Sequence, residues 1–273
     1  MPSPLDLGQS PYLFEALVEM LLLGAAGGML SVWIVLRRLA FFSHAVGSAT
    51  FPGLVAADAS GVSPALAGAA VALGYAGGVE RAGRAGREPG EATALLLVAA
   101  LAGGIILASD VFESGAVVDR LLFGTLLGLG PADLALSAAV AVLAAAATLL
   151  LGRTWAAIAF DPDGASALGV PARRADLLLL ALIAVAAVAA IPAVGALLVA
   201  SIYVLPAAAA RLVARTIPSL IAWSLGLAIG EGVVGLYAAY WLDLPPGPPV
   251  AVLGALTFVA LSFAGTRTRT TPA

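Results

Sequence analysis

Long apolar runs alternate with short polar interruptions along the chain, and runs of this length fit only a bilayer, whose core takes about 20 apolar residues per helix. The pattern predicts an all-α polytopic membrane protein with eight or nine transmembrane helices, built as a single domain over residues 1–273. The spans fall near residues 13–36, 39–57, 65–79, 92–108, 132–151, 177–190, 194–212, 219–242 and 250–264. Gly61-Val62-Ser63-Pro64 and Ile191-Pro192 read as turns between spans. Val117 to Leu129 is apolar but short and carries Asp119-Arg120 near its start, so it reads as an interfacial or re-entrant helix.

The strongest interruption is Trp155 to Asp176, WAAIAFDPDGASALGVPARRAD, with Arg153 just before it. It cannot sit in hydrocarbon, so residues 153–176 form a loop on one membrane face. Within it, Asp163 to Leu168 reads as a short helix lying on that face. Asp161 is its expected N-cap, Pro162 its first helical position, Asp163 an acid in its first turn and Gly169 its stop. Such a helix is a handle for a partner; an ordinary solvated loop is the equally open alternative.

Charge orients the chain. All thirteen basic residues are arginines, and loops rich in Lys/Arg stay cytoplasmic. With the N-terminus outside and the C-terminus cytoplasmic, only Arg120 falls on the wrong side. Asp6, Glu15, Glu19, Asp58, Asp110, Glu113, Asp119, Asp133 and Asp243 then lie at or near the outer face. They read either as an anionic rim that gathers cations or as acids that translocate freely.

Composition supports the membrane reading: 62% hydrophobic, 11% charged and a mean hydropathy of +1.06, against roughly 45–50% apolar in soluble domains. The absence of Cys rules out disulfides and thiolate metal sites. Scattered arginines and a net charge of −3 argue against nucleic-acid binding. The opening MPSPLDLGQSPYLF lacks a basic stretch before an apolar core, which argues against a cleaved signal peptide. No soluble domain is long enough for a catalytic core, and no P-loop is present, so this chain is not expected to be an enzyme. GxxxG spacings at Gly24/Gly28, Gly74/Gly78, Gly124/Gly128 and Gly226/Gly230 allow close helix packing or dimerisation.

Two places carry candidate chemistry. Glu231 lies near the middle of an apolar span, where a charge costs about 2.5–3.5 kcal/mol on insertion scales and so should face a cavity or a partner. His44 is the single histidine and sits one turn from Ser48. Imidazole suits divalent transition metals, though a lone His is more often a hydrogen-bonded structural residue. One His without Cys cannot close a tight zinc site, but a transit site must release its ion.

Several segments together resemble the membrane permease of metal-type bacterial ABC importers, which take up zinc, manganese or iron. WIVLRRLAFFSHAVGSATFPGL resembles the family's first cytoplasmic turn and second span, and DRLLFGTLLGLGPADL its Leu-Phe-Gly segment. FDPDGASALGV followed by ARR resembles the loop that docks on the ATPase, VGALLVASIYVLPAAAARL a late span, and YWLDLPPGPPVAVL an outer Asp-x-Pro-x-Gly-Pro turn. The resemblance implies a multi-pass permease of the bacterial plasma or inner membrane, working as a homodimer surrounded by membrane lipid. It implies a separate ABC ATPase subunit docked through Asp161, Pro162, Asp163, Leu168, Gly169, Arg173 and Arg174, and an extracytoplasmic metal-binding protein. A divalent metal ion, zinc or manganese first, is the implied cargo, and no cofactor stays bound. One motif departs: the family's Asp and, one turn later, His of the second span fall on His44 and Ser48. The implied metal contacts are therefore His44 and Ser48, with Glu231 supplying the missing carboxylate. A metal chelate as substrate, a proton-coupled secondary transporter and an assembly protein without substrate stay open beside this reading.

Overall fold

Proline and glycine punctuate the apolar chain. Eight of the described helices carry Pro at their first or second residue, where the missing N–H costs little and the fixed φ suits the turn. The computed structural model describes residues 11–85, 88–111, 124–125, 129–196 and 198–268. Among them every regular element is helical: α1 Pro11–Leu36, α2 Ala40–Ala49, α3 Phe51–Ser60, α4 Pro64–Arg84, α5 Pro89–Ile106 with a π-turn Leu107–Val111, α6 Pro131–Phe160, α7 Pro162–Ala167, α8 Ala172–Val194, α9 Val199–Ala210, α10 Ile217–Leu242 and α11 Gly247–Thr268.

Six of the described helical segments are long and apolar enough to cross a bilayer: Tyr12–Leu36, Ala40–Asp58, Gly90–Ser109, Pro131–Phe160, Ala172–Val194 and Ile217–Leu242. Val199–Ala210 and Gly247–Phe263 are shorter apolar helices. Most of the expected interfacial segment, with Arg120, lies outside the described residues.

Helix α1 is the centre of the packing and touches α6, α8, α9 and α10. Ala16, Met20, Leu23, Ala26, Leu30 and Trp33 are all buried along it. Its seam with α10 is antiparallel: a Cβ on Gly24 would meet Ala228 and Ile229, and one on Gly28 would meet Ser224 and Leu225. Alanine makes α8 the second buried element, with Ala184, Ala186, Ala187, Ala189 and Ala190 all at or near zero exposure. The outer surfaces of α5, α6 and α11 expose Leu95, Val98, Leu149, Leu150, Leu256 and Phe263, as lipid-facing helices do.

The structure corrects several expected boundaries. The second span is two helices joined at Thr50, whose hydroxyl donates to the Gly47 carbonyl at 2.6 Å just before Pro52. The central loop is shorter than expected: Trp155 to Phe160 continue α6, and α8 begins at Ala172. Tertiary packing extends both helices. Trp155 is fully buried, lies 5.4 Å from the Trp33 ring and donates to the Ala175 carbonyl at 2.9 Å. Ile191-Pro192 is not a turn, because α8 runs through Pro192 to Val194. The N–H that Pro192 lacks is one of the last in the helix, and the chain breaks instead at Gly195, with φ 86°. Glu19 is not a rim residue but is fully buried. Finally, Gly226 and Gly230 meet no neighbour within 4 Å, so that GxxxG spacing makes no intrachain contact.

Candidate functional site

Two cavities open at opposite ends of α1. The first, about 430 Å³, is lined by Tyr12, Leu13 and Ala16 of α1, by Thr125, and by Tyr240 and Asp243 at the end of α10. The second, about 860 Å³, lies at the other end among Arg37, Arg38, Glu80, Arg84, Arg173 and Asp176. Here Arg37 pairs with Asp176 at 2.7 Å, and Glu80 holds both Arg84 at 3.2 Å and Arg173 at 3.0 Å. Helix α1, about 39 Å long, thus connects an arginine-rich end to an end bearing Asp243 and two tyrosines.

Buried polar groups lie between the cavities. Glu231, 7% exposed, faces α11 rather than α2. One carboxylate oxygen, Oε2, would be 3.2 Å from a Cβ on Gly254, on the same helix as Thr257, whose hydroxyl donates to the Leu253 carbonyl at 2.9 Å. Its Oε1 is buried without a hydrogen-bond partner. His44 is half-buried and Ser48 buried on α2, which packs on α9. Helix α9 packs against both α2, which bears His44 and Ser48, and α10, which bears Glu231. No group of three or more His, Asp or Glu gathers among the described residues. A closed resident metal centre is therefore not built from them, whereas weak successive contacts suit a conducted ion.

The break between α8 and α9 adjoins this region. A Cβ on Gly47 would lie 3.1 Å from the Ala196 carbonyl, and Gly124 and Gly247 close in on Val194 in the same way. The glycines at 47, 124 and 247 are required by this close approach, which is invisible in their sequence spacing.

Sequence reasoning placed Glu19 but missed its role in the interior. Its Oε1 accepts from the Ser137 hydroxyl at 2.6 Å, while Oε2 is buried without a partner. The Ser43 hydroxyl is likewise buried and unpartnered. A glutamate eight residues into an apolar span is the signal that could have found the first; nothing in the sequence marks the second.

At the arginine end, α7 stands out from the helix ends. The Asp161 side chain caps it by accepting from Gly164 N–H at 2.9 Å, Pro162 follows, Asp163 lies in the first turn, and Gly169 adopts φ 73° beyond its end. Ala165 anchors the helix inward, while Leu168 is 85% exposed. Arg173 and Arg174 flank it at the exposed start of α8. An exposed leucine and two exposed arginines thus lie just beyond a capped, preorganised helix.

The sequence and fold have clear relatives. A manganese transport system membrane protein, MntC, of Halalkalibacterium halodurans is 29% identical over 258 residues, covering 92% of this chain and 86% of that protein. A probable metal transport system membrane protein of Thermotoga maritima is 28% identical over 94% of this chain and 91% of its own length. The fold superposes on PsaBC from Streptococcus pneumoniae, solved in complex with Fab, with a TM-score of 0.83 at 24% identity, over 93% of this chain and 92% of that one. The model of the ABC 3 transport family matches residues 9–265. Cavities at both ends of α1, buried carboxylates between them and this match over nearly the whole length lead to one conclusion: the chain is a multi-pass membrane protein of the ABC 3 transport family.

Proposed function

We propose that the chain is the permease subunit of an ATP-driven importer of divalent metal ions, manganese or zinc. The observation that carries this reading is Glu231, buried mid-helix in α10 with one carboxylate oxygen unpaired. An uncompensated carboxylate at that depth is expensive and is kept where a cation passes. The names of the relatives support a metal as cargo. In this reading the arginine end is cytoplasmic, the chain crosses the bacterial plasma membrane eight or nine times, and the N-terminus is outside. Two copies form the pathway. An ATPase subunit docks on each α7 through Asp161, Pro162, Asp163, Leu168, Gly169, Arg173 and Arg174. An extracytoplasmic metal-binding protein delivers the ion to the cavity bearing Asp243. The ion then meets Glu231, His44 and Ser48 in weak succession, as release requires.

The deciding experiment measures uptake of ⁵⁴Mn²⁺ and ⁶⁵Zn²⁺ by cells carrying Glu231→Gln. The expected result is loss of uptake with unchanged protein in the membrane. Normal uptake by that variant sinks the assignment of Glu231.

A second reading, an importer of a metal chelate, is favoured by Ser48, where the family pattern implies an imidazole. A hydroxyl is a weaker ligand for a bare transition metal. Uptake competed by chelates but not by free ions would select it.

A further inference from the structure

Glu19 and Glu231 lie at similar heights along the α1–α10 seam, where Met20 faces Gly232, but they meet different neighbours: Glu19 meets Ser137 of α6 and Glu231 meets Gly254 of α11. Ser137 donates to Oε1 of Glu19 at 2.6 Å, while Oε2 of Glu19 and Oε1 of Glu231 are buried without a hydrogen-bond partner. Glu19 itself has zero exposure. A buried charge is normally paired, so a free oxygen in such a place points to a partner that comes and goes.

The position of Glu19 fits that role. Tyr12 and Ala16 line the cavity that bears Asp243, and Glu19 follows them on the same face of α1, at four- and three-residue steps. It lies about one helical turn deeper along α1 than the lining residue Ala16. The other ionisable groups near it are Asp133 and Tyr203, and the Tyr203 hydroxyl is engaged with the Ala186 carbonyl at 2.8 Å. No cation among the described side chains pairs with Glu19.

We infer that Glu19, with the Ser137 oxygen beside it, is a further oxygen-donor contact for the transported divalent cation, placed on the Asp243 side of the pathway. This rests on the import reading. Carboxylate and hydroxyl oxygens favour hard cations such as Mn²⁺ over softer ones, so the contact biases the pathway toward manganese. The competing account is a staple between α1 and α6. Glu19→Gln separates the two, because its amide oxygen still accepts from Ser137 while the charge is gone.

The test uses the complete transporter, with its ATPase and binding protein, in proteoliposomes. ⁵⁴Mn²⁺ uptake is measured over a concentration series for the native chain, Glu19→Gln and Ser137→Ala, with thermal unfolding of each in detergent. The expected result is a KM for Mn²⁺ raised by about 10–100-fold in Glu19→Gln, in the range seen when a group supporting a metal ligand is lost, at an unchanged unfolding midpoint. Ser137→Ala gives a smaller rise. An uptake curve that superimposes on the native one overturns the inference. So does a loss of uptake at unchanged KM accompanied by a lower unfolding midpoint, which marks a staple. Equilibrium binding of ⁵⁴Mn²⁺ to the detergent-purified complex reads the contact without import. Native binding weakened in Glu19→Gln upholds it even where native uptake fails, and equal binding overturns it. Absence of native uptake sinks the import reading instead.

Discussion

The hydroxyls of Ser31 and Ser224 meet at 2.7 Å in the fully buried seam between α1 and α10. They pair there because glycine lets the backbones close: a Cβ on Gly28 would sit 2.5 Å from the Leu225 Cα. Close approach of this kind is how small residues associate helices without a hydrophobic driving force. Gly28→Ala must push backbone against backbone and is expected to cost about 1–3 kcal/mol, as overpacking does. Gly226→Ala, with no neighbour within 4 Å, is expected to leave intrachain stability unchanged. Thermal unfolding of the two variants in the same detergent checks the contrast; equal midpoints refute the seam.

Helix α7 owes its shape to its cap. Asp161→Ala removes the acceptor for Gly164 N–H and is expected to cost about 1 kcal/mol locally. Gly164→Ala reaches the same end differently, since its Cβ would collide with the Asp161 carboxylate. Under the proposed docking, both variants stay folded but bind the ATPase subunit more weakly, about fivefold for 1 kcal/mol. Co-purification with quantified subunit ratios measures it, and native ratios in both would remove α7 from the docking surface.

Glu80 joins the end of α4 to the start of α8 through Arg173. Arg173 is 62% exposed on its side chain, so breaking the pair should change stability by no more than about 1 kcal/mol. Arg173→Glu places two acids together and is expected to lower transport more than stability. The exchange Glu80→Arg with Arg173→Glu restores the attraction and is expected to recover part of the transport. No recovery would show that Arg173 acts through a partner rather than through Glu80.

Trp155 anchors the base of α6 by packing on Trp33 and donating to the Ala175 carbonyl. Trp155→Phe keeps most of the ring contact but leaves that carbonyl without its donor, at an expected cost of about 1–3 kcal/mol. Trp223→Phe, on the exposed surface of α10, is the matched control. A shift in unfolding midpoint confined to Trp155→Phe bears out the clamp.

Hydropathy and charge by themselves determined that the chain is helical and membrane-spanning, because a lipid environment demands long apolar helices whatever they pack against. Local chemistry was equally legible: Asp161, Pro162 and Gly169 frame α7 through interactions within a few residues. Glu231 was legible too, since one acid in an apolar span stands out on its own. What only the tertiary structure decided is where neighbours substitute for water. Trp155 to Phe160 remain helical because Trp33 and Ala175 receive Trp155, and α8 passes Pro192 to break where glycines from three distant segments close on it. Glu19 and Glu15 look alike in the sequence, four residues apart at the start of α1. Only the packing of α6 on α1 buries Glu19 and sets Ser137 against it. Burial of a side chain depends on which helix lies beside it, and that choice is made by the shapes of surfaces far apart in the chain.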